Sequence, residues 1–166
     1  MKRKIIFIVW SLIIATTAQS QEVTVKSPSP DLKVEFKRCI SGNDITFIDI
    51  LITNTSGQST KINCKTDIDI YDDEGNIYNN KNTTTGKYNV YIASSNTNNQ
   101  PLKSMIEIPA GISHKARIII ADGFDKYATE VKLLKLNFSW DVFNTKTYGL
   151  WLIDSIELRN LPITRE

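Results

Sequence analysis

The sequence predicts an all-β fold, a small antiparallel β-sandwich of about seven to eight strands. Three observations predict it. Apolar residues alternate with polar ones at period two along most apolar stretches, a spacing that a strand can bury and a helix cannot. Turn signals recur about every ten residues, as in sandwiches. No amphipathic stretch is long enough for a helix of more than two turns. One pair of apolar strands, Ile45 to Asn54 (ITFIDILITN) and Ile62 to Tyr71 (INCKTDIDIY), joined by TSGQST, is the expected centre of the sandwich.

The chain begins with a segment that does not read as fold. Lys2, Arg3 and Lys4 precede an apolar run from Ile5 to Ala15, and Ala18 and Ser20 are the small residues of a cleavage site. That is the pattern of a secretory signal, cut after Ser20, and the run is short of the roughly 20 residues a membrane helix needs. Removing residues 1–20 leaves 146 residues, enough for one domain with a real core. It also leaves 17 basic residues against 18 acidic ones, a formal charge of −1. This is not the electrostatic footprint of a nucleic-acid binder, and no nucleic-acid partner is expected. The mature chain is expected to carry no transmembrane segment and to sit in the periplasm, on the outer surface or outside the cell.

Residues 21–30 contain Ser27-Pro28-Ser29-Pro30, and two prolines favour extended, solvated backbone. They are read as a leader to a single domain spanning 31–166. Asp31 to Ile40 (DLKVEFKRCI) alternates Leu32, Val34 and Phe36 with Lys33, Glu35 and Lys37. Cys39 fits that alternation only if a bulge sits near Arg38. Ser41-Gly42-Asn43-Asp44 is turn chemistry, so this strand and the next form a hairpin. In Ile45 to Asn54 the isoleucines 48, 50 and 52 share one face, while Phe47 and Leu51 oppose them with Asp49 between. A second apolar face interrupted by a carboxylate predicts partial cover from a loop or a neighbouring side chain.

Asp72-Asp73-Glu74-Gly75-Asn76 is a turn. Its acids, with Asp67 and Asp69, raise calcium, but the spacing is not that of a calcium loop, and a solvated turn is the reading. Asn79 to Pro101 is polar, with one apolar island, Tyr88 to Ala93. Lys103 to Ile108 and Ser113 to Ile120 read as strand, turn, strand around Pro109-Ala110-Gly111. Gly123 to Tyr127 reads as a short helical turn. Val131 to Trp140 and Tyr148 to Arg159 close the chain as a hairpin, with Asp154 breaking the apolar row of the last strand as a bulge or as an edge charge.

The stretches ITFIDILITNTSG, DIDIYDDEGNIY and IPAGISHKARIII resemble small exported bacterial immunoglobulin-like domains of unknown function. The shared features are a strand ending in Asn, a D-x-x-G-N turn before Tyr, and a Pro-x-Gly turn before a strand. The resemblance spans roughly residues 31 to 160. It implies an immunoglobulin-like antiparallel β-sandwich and an exported location, and it implies no catalytic residues.

Chemistry is sparse. His114 is the only histidine, and its turn context gives no nucleophilic triad. One His and two Cys are too few for a usual zinc site, and no cofactor is expected. Cys39 and Cys64, an even count in an exported chain, suggest a disulfide. Trp140, Phe143, Tyr148 and Trp151 cluster around one hairpin as a candidate binding surface for a protein or a glycan, unless they are core. Asp154-Ser155-Ile156 matches a short bacterial O-glycosylation pattern, with Ser155 as the acceptor. The functional expectation is an exported, non-catalytic module that binds a protein or glycan or serves an envelope assembly. Two alternatives stand beside it: a structural or inhibitor-like domain acting through an edge strand, and a hydrolase built on loop carboxylates.

Overall fold

The computed structural model of the chain describes residues 21–80, 90–94, 105–121, 123–141 and 151–166. Residues 1–20, read from the sequence as a secretory signal, lie outside the described residues. Among the described residues all regular structure is β. In chain order the strands are β1 (Thr24–Lys26), β2 (Leu32–Ser41), β3 (Ile45–Asn54), β4 (Thr60–Asp72), β5 (Ile77–Asn79), β6 (Val90–Ser94), β7 (Met105–Ile108), β8 (Ser113–Ala121), β9 (Glu130–Asp141), β10 (Trp151–Arg159), β11 (Leu161–Pro162) and β12 (Thr164–Arg165).

They form two sheets. One has the order β12-β2-β3-β8-β6. The other has the order β1-β10-β9-β4-β5, with β7 also on β4 and β11 on β9. Counting only the seven principal strands, the first, second, fifth and fourth lie in one sheet, and the third, sixth and seventh in the other. That is the connectivity of the immunoglobulin sandwich. The expected hairpins are present: β2 pairs with β3, and β9 with β10.

The two central stretches do not pair with each other. β3 is the middle of one sheet and β4 lies inside the other, so residues 55–59 cross between layers. Likewise β7 and β8 flank a tight turn yet belong to opposite sheets. Asn54 explains both crossings. Its buried Nδ2 donates to the carbonyls of Gln58 (2.7 Å) and Ile108 (2.9 Å), and its Oδ1 accepts from the Ser56 amide (3.0 Å). Its backbone N–H donates to the Ile112 carbonyl, and its carbonyl accepts from Gly111 N–H. Gly111 holds a φ of 71°, the left-handed region that glycine enters without a Cβ clash. One asparagine therefore satisfies the backbone of two sheet-changing turns, which buried polar groups require.

The core is the isoleucine and leucine row the alternation predicts. Ile48 and Ile50 of β3 and Ile118 and Ile120 of β8 meet Ile68 and Ile70 of β4, Leu134 of β9, and Ile156 and Leu158 of β10. Burying each such side chain is worth about 1.5–3 kcal/mol. The acidic turn is organised from within. Buried Asp72 accepts from Glu74 N–H (3.0 Å), Asn76 N–H (2.8 Å), Asn76 Nδ2 (2.9 Å) and Tyr78 Oη (2.8 Å). Tyr78 Oη in turn accepts from Asp125 N–H, and its ring meets Phe124 edge-on at 4.8 Å.

Three features differ from the sequence reading. Thr24–Lys26 lies in the stretch read as a leader, yet it pairs with Glu157–Arg159 at the edge of a sheet. Gly123 to Tyr127 is a plain turn, with Gly123 at a φ of 69°, rather than a helical turn. The C-terminal residues are strands as well. Asn160, at a φ of 58°, bends the chain so that β11 continues along β9 while β12 joins β2 in the other sheet. Arg165 then donates to Ser41 Oγ and to the carbonyls of Asp125 and Ala128, tying β2 to the β8–β9 connection.

Candidate binding surface

The strongest cluster of charge lies on the outward face of the β3 sheet, around Asp49. Period-two geometry points Asp49 away from the isoleucine core, yet it has no exposed surface. A buried carboxylate must be paired. The bulge expected near Arg38 supplies the first partner. The β2–β3 register shifts between Phe36 and Arg38, so that Arg38 lies beside Asp49 and Cys39 turns inward beside Ile48. Arg38 Nε donates to Asp49 Oδ2 at 2.8 Å. β8 supplies the second partner. Arg117, directly across from Asp49, donates from Nε to Oδ1 (2.7 Å) and from Nη2 to Oδ2 (3.0 Å), a fork-to-carboxylate pair. Lys115 Nζ stands 3.7 Å from Oδ2. The Arg117 guanidinium also lies 4.8 Å from the Phe47 ring centroid, a cation–π contact. The cover that the sequence predicted for Asp49 is thus a set of neighbouring side chains.

These contacts set the ionisation. Burial opposes the Asp49 charge more than any single neighbour supports it. Hydrogen bonds from Arg117 and Arg38, with the charges of Arg117 and Lys115, together outweigh it and hold the carboxyl below the ordinary aspartate value. The same hydrogen bond raises Arg117 further. Nearby on β2, half-buried Glu35 is drawn to about 2 by hydrogen bonds from Lys33 and Lys37.

His114 is not on the surface expected of a turn histidine. It pairs with Ile52 and lines a small apolar cavity of about 30 Å³ between the sheets, together with Ile62, Ile106, Ile108 and Ala116. Its Nε2 is buried without a hydrogen-bond partner among the described residues, and burial lowers its pKa. Among the described residues no three His, Cys, Asp or Glu side chains gather as a metal site. No helix among them is long and apolar enough to cross a membrane.

Of the other sequence-predicted residues, Phe143 and Tyr148 lie outside the described residues, as do the side chains of Trp140 and Trp151. The backbone does place Trp140 across from Leu152 and Trp151 across from Asp141 in the β9–β10 hairpin. Around Asp154 the β9–β10 register is continuous, so that residue is not at a bulge. Ser155 is only 9 % exposed and sits across from Asn137, so glycosylation at its hydroxyl would have to precede folding.

Cys39 is buried on β2, where burial pushes its thiol up to about 12. Cys64 belongs to β4 in the opposite sheet, and its side chain lies outside the described residues. A bridge between them is a proposal here. Cys39 is expected to resist alkylation in the native protein. Alkylation of the denatured, unreduced chain then decides the pairing: no labelled cysteine establishes the bridge, and two labelled cysteines establish free thiols.

Sequence reading did not single out Arg38 and Arg117 as functional residues. The available signal was a cation next to the expected bulge and another on an outward position of the 113–120 strand.

No protein-family model matches the chain. No curated protein matches it. Among solved structures it is similar to the ASH/PapD-like domain 7 of human CEP192, at 8 % identity and a TM-score of 0.41, over 85 % of this chain and 87 % of that one. It is also similar to Northeast Structural Genomics Consortium target SoR45, at 14 % identity and a TM-score of 0.36, over 86 % and 89 %. The periplasmic chaperone SfaE gives 13 % identity and a TM-score of 0.38, over 81 % of this chain and 57 % of that one. The immunoglobulin-like connectivity rests on the strand order itself.

Proposed function

We propose that the chain is an exported, non-catalytic β-sandwich module that works by surface contact with a protein partner, through the outward face of the β3 sheet. One observation carries this reading. A carboxylate with no exposed surface gathers Arg38, Lys115 and Arg117 on that face, and the first two keep 51 % and 42 % of their side chains exposed. Ile45 is exposed on the same face, with half-buried Phe47 and Leu51 beside it. Arginine and aromatic groups held in place are what contact surfaces favour. The single histidine, turned into an apolar cavity, supports the non-catalytic part.

A second reading has its own observation. β10 runs from Trp151 to Arg159, but β1 pairs only with Glu157–Arg159. Among the described residues no strand lies on that side of 151–154, an edge to which a partner strand can add.

Photocrosslinking in the native host separates the two. A photoreactive residue in place of Ile45 or Leu51 is expected to trap one partner species. The same residue in place of Ile77, exposed at the edge of the other sheet, is expected to trap none. Trapping from Ile153 of β10 alone would replace the face reading with strand addition. The recovered protein is expected to begin at Gln21. A retained Met1 end would refute export through residues 1–20.

A further inference from the structure

We infer that Arg38 and Lys115 form a site for a second carboxylate, one presented by an acidic, extended segment of a protein partner. This rests on the surface-contact reading above and names the chemistry that the surface takes. Arg38 meets Asp49 through Nε alone, at 2.8 Å. Its two Nη groups, the flat end of the guanidinium fork, have no hydrogen-bond partner among the described residues. Lys115 Nζ, at 3.7 Å from Asp49 Oδ2, stands beyond hydrogen-bond reach of the same oxygen that Arg38 holds. Arg117 Nη2 already donates to that oxygen at 3.0 Å. Three cations therefore surround one carboxylate, and the two with unused donors, on the strands that flank β3, converge on the same Asp49 oxygen. The bulge sets Arg38 beside Asp49 and the Nε bond holds it there before any ligand arrives, so less side-chain freedom remains to be lost on binding. A guanidinium fork with an adjacent ammonium matches the two oxygens of a carboxylate.

The charge count selects the kind of partner. Lys33 and Lys37 are already engaged by Glu35, at 2.6 and 2.5 Å. Among the described residues that leaves the three cations around the single carboxylate of Asp49, an excess of two on this face, whereas anionic membranes are held by clusters of about four to eight basic residues. Leu51 lies directly across from Lys115, and Phe47 lies under Arg117. An extended peptide alternating acidic and apolar side chains meets both features of this sheet face.

The test uses the purified mature chain and a capped peptide of alternating Glu and Leu, followed by NMR of the arginine Nε–H groups and the β2 and β8 amides. Saturable shifts at Arg38 and Lys115 are expected. Arg38→Gln and Lys115→Gln are each expected to weaken binding at least about tenfold, as loss of one charged hot-spot contact does. Lys33→Gln should change it less than about twofold, as a rim pair does. Since Lys115 makes only the 3.7 Å contact, its variant keeps the fold even if Arg38→Gln does not. The inference fails if the peptide does not saturate, or if Lys33→Gln weakens binding as much as the other two. It also fails if inorganic phosphate binds as tightly as the peptide. Tighter binding to phosphatidylglycerol vesicles, with the same residue dependence, would replace the protein segment by a lipid surface. Partner trapping from Ile45 that persists in Lys115→Gln would leave the surface-contact reading standing and remove this inference alone.

Discussion

Asp72→Ala should destabilise the protein by about 3–5 kcal/mol, among the largest effects expected of any single substitution in this chain. The carboxylate is buried and accepts four hydrogen bonds inside a single turn. Alanine leaves two backbone amides, the Asn76 amide and the Tyr78 hydroxyl without this acceptor. A buried donor left unpaired costs about 1–3 kcal/mol. Water can reach the turn amides, since Glu74 and Gly75 are exposed, but not the Tyr78 side chain, which lies in the core against Phe124. The loss should therefore be concentrated in the Tyr78 contact. Tyr78→Phe, which removes the hydroxyl and keeps the ring, is expected to cost about 1–2 kcal/mol on its own. Urea unfolding of both variants and of the double variant measures the coupling. An Asp72→Ala loss under about 1 kcal/mol would mean that the turn is held by its backbone alone.

Asp49→Ala is expected to cost about 2–4 kcal/mol near neutral pH. Removing one partner of a buried ion pair costs the other its counter-charge, and here Arg117, mostly buried and stacked on Phe47, loses the carboxylate it forks onto. Arg38 and Lys115 can turn to solvent and soften the loss. The same site sets the acid limb of stability. Asp49 is held below its ordinary value near 3.8 in the folded protein. Its contribution is therefore fully present above that value and is lost as pH falls through the lower folded value. His114 acts in a higher window. Burial lowers its pKa from near 6.5, so the neutral ring is favoured in the fold. That contribution is present above the unfolded value and is lost as pH falls toward and through the folded one. A stability–pH curve should thus decline in two steps on acidification. Asp49→Ala should flatten the lower step, and His114→Leu the upper one. A curve that keeps both steps in both variants would assign them to other groups.

These expectations show which parts of the molecule were legible in one dimension. Period-two alternation identified the strands and their inward faces, because side-chain direction along a strand depends only on position. It also located the bulge near Arg38: Cys39 fell out of phase with Leu32, Val34 and Phe36, and one extra residue restores the phase. The segments Asp72 to Asn76 and Pro109 to Gly111 were legible as turns from their turn-forming residues. Neighbourhood was not legible. Nothing in ITFIDILITN or INCKTDIDIY says that they lie in opposite sheets; Asn54 decides that by reaching the carbonyl of Ile108, 54 positions away. Nothing in the 113–120 strand says that Arg117 meets Asp49, 68 positions earlier. His114, polar in sequence and beside a turn, faces an apolar cavity because its partner residue, Ile52, faces inward. The short strands β1, β11 and β12 carry too few residues to show a period, and they exist only because a sheet edge is there to receive them. Local pattern sets what a segment can be. Which cation reaches a buried carboxylate is set by strand order, a long-range choice made by the packing of two sheets.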